Sequence, residues 1–532
     1  MSRLVIVSNR VADPRKAAAG GLAVAIKDGL QQTGGVWFGW SGKTFTDAPG
    51  VASHSGVHTQ TVGKVQLATV DLSQQDYETY YLGYSNNVLW PVFHNRLDLA
   101  QFDVRFGTGY RRVNQLFAQR IFPLLKPSDV IWVHDYHLIP LAAELRAMGC
   151  TNPIGFFLHI PVPPPLIMAA IPEHEWLMRS LFAYDLVGLQ TESDMMHLVR
   201  YAETEAGAKW RPDGYLRAFN RTLRVGAFPI GMDVGEFASL ADAREGLDMF
   251  ARMREEYSRR QLLIGVDRLD YSKGLPQRIQ AFRYLLEHYP ENRKRATLIQ
   301  IAAPSREDLG AYDHLRREMD SLCGAINGDY GELDWMPVRY IHRNVARRRL
   351  PGVYRAAHVA LVTPLRDGMN LVAKEFLAAQ DPADPGVLVL SRFAGAAEQL
   401  KEALLVNPYD SQGTAQAIER ALTMPLGERI ERHSALMTTI RQYDVHWWRT
   451  SFLDAHVVSR RAQGSGGAGA GNGGRYPLGP PIGQSPDEAP VGSEPVAARA
   501  AVAALCGRPR CGNAYRPHRK CQLGDGPVQR LD

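Results

Sequence analysis

The sequence predicts an α/β protein with two doubly wound parallel sheets facing each other across one cleft. Three observations carry this expectation. The chain has 532 residues, too many for one ordinary core. Short apolar, β-branched runs alternate with longer amphipathic stretches, the pattern of strands covered on both faces by helices. Charged residues follow those runs repeatedly, in both halves of the chain.

The elements fall into two series. Leu4–Val7, Val130–Val133, Ile154–Leu158 and Leu186–Leu189 are expected as strands of a first sheet. Leu262–Val266, Thr297–Ile301, Val338–Ile341, Val359–Val362 and Gly386–Leu390 are expected for a second. Continuous apolar runs this short fit strands buried on both faces. Gln277–Tyr289 and Val372–Ala379 have helical periodicity, and Leu22–Leu30 is a further candidate helix. The series divide near Phe228–Glu236, which gives an N-terminal domain over 1–232 and a second over 233–440.

After Arg460 the composition changes. Gly464–Gly474 is rich in Gly, Ala, Ser and Asn, and Pro477–Pro490 in Pro and Gly, so 461–532 is expected as a disordered tail. From Arg461 onward nine Lys+Arg oppose five Asp+Glu, so most of the chain's net charge of +6 belongs to the tail. The basic balance therefore says little about nucleic acid. The five cysteines form no CxxC pair, which suits a reducing compartment. Cys506, Cys511, His518 and Cys521 fit no established zinc spacing. There is no signal-peptide core and no apolar run of membrane length, so a cytoplasmic location is expected.

In open α/β sheets ligands bind at the carboxyl ends of the strands. Here those ends carry Ser8-Asn9-Arg10, then His134-Asp135-Tyr136-His137, then His159. In the second half they carry Asp267 to Gly274, Arg306, and Arg366-Asp367-Gly368-Met369-Asn370. Six charged exits argue for one shared cleft. Arg268 and Lys273 flank a turn; together they could neutralise a diphosphate before and during its departure. The plainer alternative is a solvated loop or a salt bridge to Asp267 or Asp270. Arg10 and Arg306, single cations from different halves, could jointly hold a second phosphate. Gly20-Gly21 could offer backbone N–H groups to a phosphate at a helix start, or form an ordinary turn. His159 also fits a buried histidine ordering the Pro-rich turn after it, and Asp367 a turn or capping aspartate. His134, Asp135 and His137 are metal-ligand types, but adjacent strand-end residues point to different faces. No GxGxxG follows the first strand and no GxxxxGK[ST] occurs, against a nicotinamide dehydrogenase and a P-loop NTPase.

At these residues the sequence resembles the bacterial trehalose-6-phosphate synthase family. The motifs are Leu4–Arg10 (LVIVSNR), Ala19–Leu22 (AGGL), Trp37–Trp40 (WFGW), Tyr80-Tyr81, Leu89–Pro91 (LWP), His134–His137 (HDYH), Gly155–His159 (GFFLH), Arg268–Gly274 (RLDYSKG) and Arg366–Glu375 (RDGMNLVAKE). They run in order from Ser2 to about Val458. The resemblance implies a retaining glycosyltransferase of GT-B build, with two Rossmann-like domains and a helix over 441–460 crossing back to the first. It implies transfer of glucose from UDP-glucose to glucose 6-phosphate, giving α,α-trehalose 6-phosphate and UDP, in trehalose biosynthesis and osmoprotection. By motif, Arg268 and Lys273 would grip the diphosphate and Gly20 and Gly21 would approach the donor through backbone. Leu371, Val372, Ala373 and Lys374 would line the nucleotide, and Glu375 would bind the ribose hydroxyls. Asp367 and His159 would hold the donor glucose, completing the catalytic set with Arg268 and Lys273. Arg10, Tyr81 and Arg306 would bind the acceptor phosphate, with Trp90 and Asp135 positioning the acceptor sugar. Val345 stands where a relative can carry an aromatic near the uracil. No metal or other cofactor, nucleic acid or membrane is implied, and a homodimer or homotetramer is expected. A glycerol 3-phosphate acceptor, or a sugar-phosphate sensor without catalysis, are the alternatives. A fused phosphatase is not expected, since the region after Arg460 has neither the length nor a DxDx motif.

Overall fold

A computed structural model describes residues 3–12, 26, 30, 34–46, 56–211, 213–306 and 308–464. Gly20, Gly21, most of the candidate helix over 22–30 and all but the first four residues of the expected tail lie outside the described residues.

The strands are β1 (Leu4–Arg10), β2 (Gly35–Phe45), β3 (His58–Val62), β4 (Val65–Ser73), β5 (Val130–His134), β6 (Ile154–Phe157), β7 (Leu186–Leu189), β8 (Lys209–Arg211), β9 (Tyr215–Ala218), β10 (Arg221–Ala227), β11 (Gln261–Arg268), β12 (Ala296–Ala303), β13 (Val338–Ile341), β14 (Val359–Val362), β15 (Val387–Ser391) and β16 (Leu404–Val406). They form two sheets. The first has the order β3-β4-β2-β1-β5-β6-β7-β10-β9-β8. Its interior from β4 to β10 is parallel, and β3, β8 and β9 finish the edges as antiparallel hairpins. The second sheet, β13-β12-β11-β14-β15-β16, is parallel throughout.

In both sheets the first strand lies in the interior, and the chain winds outward from it in two directions. That is the doubly wound Rossmann order, and it splits the strand ends at one point, where ligands bind. In the first sheet the split lies between β1 and β5, so Arg10 and Asp135 share a crevice. In the second it lies between β11 and β14, so Arg268 and Asp367 share one. The topology thus gathers the charged strand exits before any side chain is considered.

The helices that matter for the site are α1 (Val104–Ile121), α2 (Glu192–Ala206), α3 (Val234–Asp242), α4 (Arg244–Glu256), α5 (Leu275–His288), α6 (Gly310–Tyr330), α7 (Leu371–Ala379), α8 (Leu426–Gln442) and α9 (Val445–Gly464). Each expected strand is present within a few residues of its sequence bounds. Several strands carried no run long enough to see. β2 is interrupted by Gly39 and Gly42, β10 by the polar residues Arg221, Thr222 and Arg224, and β16 has three residues. The turn from β9 to β10 places Phe219 and Asn220 at φ 53° and 56°, tight hairpin geometry. Tyr77–Leu89, unassigned from sequence, is a wide π-type helical segment. Such segments are rare and favour functional sites.

The chain crosses between the halves twice, at residues 228–233 and at Tyr443-Asp444. The crossings touch at Gly231, where a Cβ would lie 2.2 Å from the Tyr443 carbonyl oxygen and 2.3 Å from the Asp444 carbonyl carbon. Helix α9 starts at Val445 rather than 441, because the Asp444 side chain accepts from the Trp447 backbone N–H at 2.8 Å, an N-cap. It returns to the first sheet. Phe452 is fully buried and stacks on Trp132 at 4.6 Å, 11° between planes. Its ring fills the space above Gly155 and Gly188, where any Cβ would come within 2.9 and 2.7 Å of it. Phe452→Ala should therefore leave a large cavity and cost about 3–5 kcal/mol, read as a lower denaturation midpoint in urea.

Candidate active site

The site is best built from Asp270, just past β11. Its carboxylate is fully buried and accepts from the Arg306 guanidinium at 2.8 Å and the Tyr312 hydroxyl at 3.1 Å. It also caps the short turn at Tyr271, accepting from the Ser272 backbone N–H at 3.0 Å. Burial pushes this carboxyl upward, but the Arg306, Arg268 and Lys273 cations override it and hold it below the usual range. Arg306 lies 3.8 Å from the centre of the Trp90 ring and bonds the hydroxyls of Tyr312 (2.8 Å) and Tyr136 (3.3 Å). Trp90 and Tyr136 belong to the first half, so Arg306 joins the halves by cation–π contact and hydrogen bonding. Its own backbone is left-handed, φ 47°.

Around this joint stand aromatic rings of the π-type segment. Tyr81 stacks on Tyr77 (5.5 Å, 20°) and on His137 (6.0 Å, 10°), and lies 5.7 Å from Trp40. Arg10 at the end of β1 is exposed and lies 5.7 Å from the Trp40 ring centre. Its guanidinium occupies the space a Cβ on Gly42 would need, 2.5 Å away. The Tyr77 hydroxyl donates to Asp308 of the second half at 2.8 Å. Arg10, Tyr81, Trp90 and Arg306 thus line one aromatic-walled, cationic corner.

Asp135 ends β5 at φ 77°, ψ 165°, a region almost confined to glycine. Such strain, on the order of 1–3 kcal/mol, is characteristic of functional positions. The residue is held by its N–H to the Phe157 carbonyl (2.8 Å) and by accepting from the His159 N–H (3.2 Å). Burial pushes its carboxyl up to about 6, against the pull of two backbone hydrogen bonds and of Arg306 and Arg268.

On the donor side, Arg268 is exposed, its guanidinium carbon 5.6 Å from the Trp90 ring centre. Lys273 forms an ion pair with neither Asp267 nor Asp270; its ammonium pairs with Asp367 from the loop after β14. Asp367 also accepts from the Asn370 amide at 3.0 Å. Asp267 instead pairs with Arg278 at 2.6 Å, and both are buried. Arg278 further donates to Thr363 (3.0 Å) and Gln300 (2.9 Å), cross-linking β11, β12 and the end of β14 beneath the turn. Gly265 makes room: a Cβ there would lie 2.6 Å from that guanidinium.

The loop after β14 meets the first half directly. A Cβ on Gly368 would lie 2.1 Å from the His159 carbonyl oxygen, so only glycine permits this approach. Arg366 pairs with Asp194 of α2 at 3.0 Å, and Glu398 accepts from the N–H groups of Glu192 and Ser193 at the start of α2. Asn370 precedes α7 with φ 76°. Along α7, Leu371 and Val372 are half-buried and Ala373 is buried. Lys374 turns away: its amine is buried and bonds the Ile230 carbonyl (2.9 Å) and Gln399 (2.8 Å), leaving only its backbone for a nucleotide. Glu375 is half-buried and accepts from the Tyr354 hydroxyl at 3.4 Å. Burial raises its carboxyl to about 7, opposed by Arg347 and the Tyr354 bond. Val345 is half-buried against the same apolar cluster. His159 bonds His134 through Nε2 (3.1 Å) and Gln190 through Nδ1 (3.4 Å), and burial lowers it to about 3.

Sequence reasoning missed Asp270 as the hub, although it stands inside the Arg268–Gly274 motif. It also missed Tyr136, inside His134–His137. Tyr312 and Tyr77 carry no local signal, because only the fold brings them to Arg306 and to the first-half aromatics.

Two Rossmann-type sheets, opening their switch points on one cationic, aromatic-lined cleft, define a GT-B glycosyltransferase. The chain belongs to glycosyltransferase family 20, which it matches over residues 6–456. A trehalose-6-phosphate synthase of Sinorhizobium fredii is 50% identical over 463 residues, 86% of this chain and 99% of that relative. Among solved structures, a UDP-forming α,α-trehalose-phosphate synthase of Burkholderia xenovorans in complex with glucose-6-phosphate is 49% identical with a TM-score of 0.82, covering 86% of this chain and 100% of that one. An E. coli structure bound with UDP-2-fluoro glucose is 45% identical with a TM-score of 0.81, covering 86% of this chain and 99% of that one. Among the described residues no helix is long and apolar enough to cross a membrane.

Asp270→Asn would leave Arg306 buried without its counter-charge. It should cost about 3–5 kcal/mol of stability, measured by equilibrium denaturation. In a double-mutant cycle with Arg306→Leu the two losses should be clearly non-additive.

Proposed function

We propose that this chain is a UDP-forming α,α-trehalose-phosphate synthase, transferring glucose from UDP-glucose to glucose 6-phosphate with retention of configuration. The observation that carries this reading is the pairing of two cation groups across the cleft. Arg268 and Lys273 stand at the switch point of the second sheet, while Arg306 reaches into the first half toward Arg10 and Tyr81.

The roles follow from charge and position. Arg268 and Lys273 take the diphosphate; Lys273 exchanges part of its pairing with Asp367 for phosphate oxygens. Asp367 then has acceptor capacity for donor-glucose hydroxyls, beside His159. Glu375 accepts the ribose hydroxyls, while the backbone of Leu371, Val372, Ala373 and Lys374 and the side chain of Val345 line the nucleotide. Gly20 and Gly21 belong to the donor segment by motif. Arg10, Tyr81 and Arg306 take the acceptor phosphate, and Trp90 and Asp135 orient the acceptor ring.

Retention requires a covalent carboxylate intermediate or attack from the face the leaving group departs. Asp367 is engaged by Lys273 and Asn370, and Asp135 by backbone N–H groups, so neither is arranged as a free nucleophile. Front-face attack through an oxocarbenium-like state fits better. The acceptor hydroxyl proton passes to the departing diphosphate oxygen, and protein catalysis reduces to positioning and charge stabilisation. Arg268 and Lys273 supply the positive charge that stabilises the departing diphosphate, without assigning a role to a metal. We further propose a cytoplasmic homo-oligomer, in keeping with the free, buried thiols of Cys150 and Cys323.

The deciding experiment is a donor-by-acceptor activity matrix with the product and its anomeric configuration identified. Transfer to glycerol 3-phosphate but not to glucose 6-phosphate would overturn the acceptor assignment. Arg268→Ala should lower kcat roughly 100- to 1,000-fold with an unchanged melting temperature. Arg306→Ala should act mainly on the KM for glucose 6-phosphate. The Glu375 carboxyl, raised to about 7, accepts the ribose hydroxyls more strongly and at both oxygens when ionised, so the KM for UDP-glucose should fall as pH rises through that value. Glu375→Gln should flatten that dependence. By linkage, between the ordinary 4.5 and about 7 the folded state holds a proton that the unfolded chain has lost. This group's contribution to stability therefore declines as pH rises through that window.

A further inference from the structure

His159 stands at one end of a chain of hydrogen bonds whose polarity is fixed at the other end. The Ile230 backbone N–H, in the first crossing between the halves, donates to Gln190 Oε1 at 3.0 Å. A backbone N–H can only donate, so the amide oxygen of Gln190 must face Ile230. The Gln190 NH2 group then faces His159 Nδ1, at 3.4 Å. That nitrogen must therefore be the unprotonated one. Burial keeps the ring neutral, so its proton sits on Nε2 and is donated to His134 Nδ1 at 3.1 Å. The same peptide unit is gripped from its other side. The Ile230 carbonyl accepts from the Lys374 amine at 2.9 Å, and Lys374 precedes Glu375 on α7. Gln190, Ile230 and Lys374 are all buried.

We propose that Gln190 is a positioning residue: anchored on the crossing peptide at Ile230, it fixes His159 in the tautomer whose Nδ1 accepts a hydroxyl hydrogen of the donor sugar, and it couples that ring through Lys374 to the nucleotide-binding helix. Nδ1 has one lone pair, and the 3.4 Å bond from Gln190 is long for an N–H···N contact, so a sugar hydroxyl takes the place of the amide there when the donor binds. The bond from Lys374 to Ile230 makes the crossing peptide a common support for His159 in one half and α7 in the other. This rests on the transferase reading above, with His159 facing the donor.

The test uses the full chain. Imidazole 15N spectra of the ligand-free protein, with His159 assigned through His159→Asn, report which ring nitrogen carries the proton. The proposal expects the Nε2–H form in the wild type. Gln190→Glu keeps the shape and can still accept from Ile230, but its carboxylate cannot donate to Nδ1. It should reverse the His159 tautomer and lower kcat roughly 10- to 100-fold, while the KM for glucose 6-phosphate stays at its wild-type value. Gln190→Met should leave a mixed tautomer and a smaller loss of kcat. A wild-type ring protonated on Nδ1, or a Gln190→Glu enzyme with wild-type kcat, overturns the proposal. The wild-type spectrum decides the tautomer even where a variant fails to fold. It needs no substrate, so it stands apart from the transferase reading, whose failure would be an unmodified chain without turnover.

Discussion

The contact on which the cleft depends is the buried ion pair between Arg306 and Asp270 laid against Trp90. A guanidinium removed from water is costly unless its charge is met and its N–H groups are bonded. Here the carboxylate, two tyrosine hydroxyls and an indole face meet it, and they come from both halves. The ion pair lies within the second half, but Trp90 and Tyr136 of the first half complete its surroundings, so the full set of contacts cannot form in either half alone. It therefore fixes the separation of the two sheets at the point where an acceptor must lie, and it leaves Arg268 beside the same indole, facing the donor side.

A second constraint operates beneath it. The strand ends must present polar groups upward while their strands stay buried. The Arg278–Asp267 pair satisfies this under the second sheet's switch point, using space opened by Gly265. In the first sheet the backbone of Asp135 absorbs the strain, with neighbouring strand ends holding it by hydrogen bonds. Asp135, Arg306 and Asn370 all have left-handed backbones, and all lie at the cleft. Strain stored at strand ends is the local consequence of aiming side chains from two sheets into one space.

Much of this was legible in the chain. The nine expected strands are all present, because these parallel strands, largely buried in all but the edge strand β13, leave short apolar runs that need no partner to be recognised. β2, β10 and β16 were hidden because glycine breaks, polar edges or brevity remove that signal. The charged strand exits are brought together by the fold, but their pairings were not legible in the chain. Lys273 was a candidate partner of Asp267 or Asp270 by proximity in sequence, yet it bonds Asp367 across the switch point. Lys374 resembled a cleft residue within its motif, and its amine instead ties the crossing peptide. Helix periodicity places it on α7 but does not say which neighbour that face meets.

The sequence by itself determined the two strand series and the residue types at each strand end. Those depend on local periodicity and on burial of the strand itself. Only the tertiary structure decided which exits pair, that Tyr77 and Tyr312 belong to the site, and that Ile230 is held from both sides. Those contacts join residues far apart in the chain. Their formation depends on the doubly wound order and on glycines at 231 and 368 that let backbones touch.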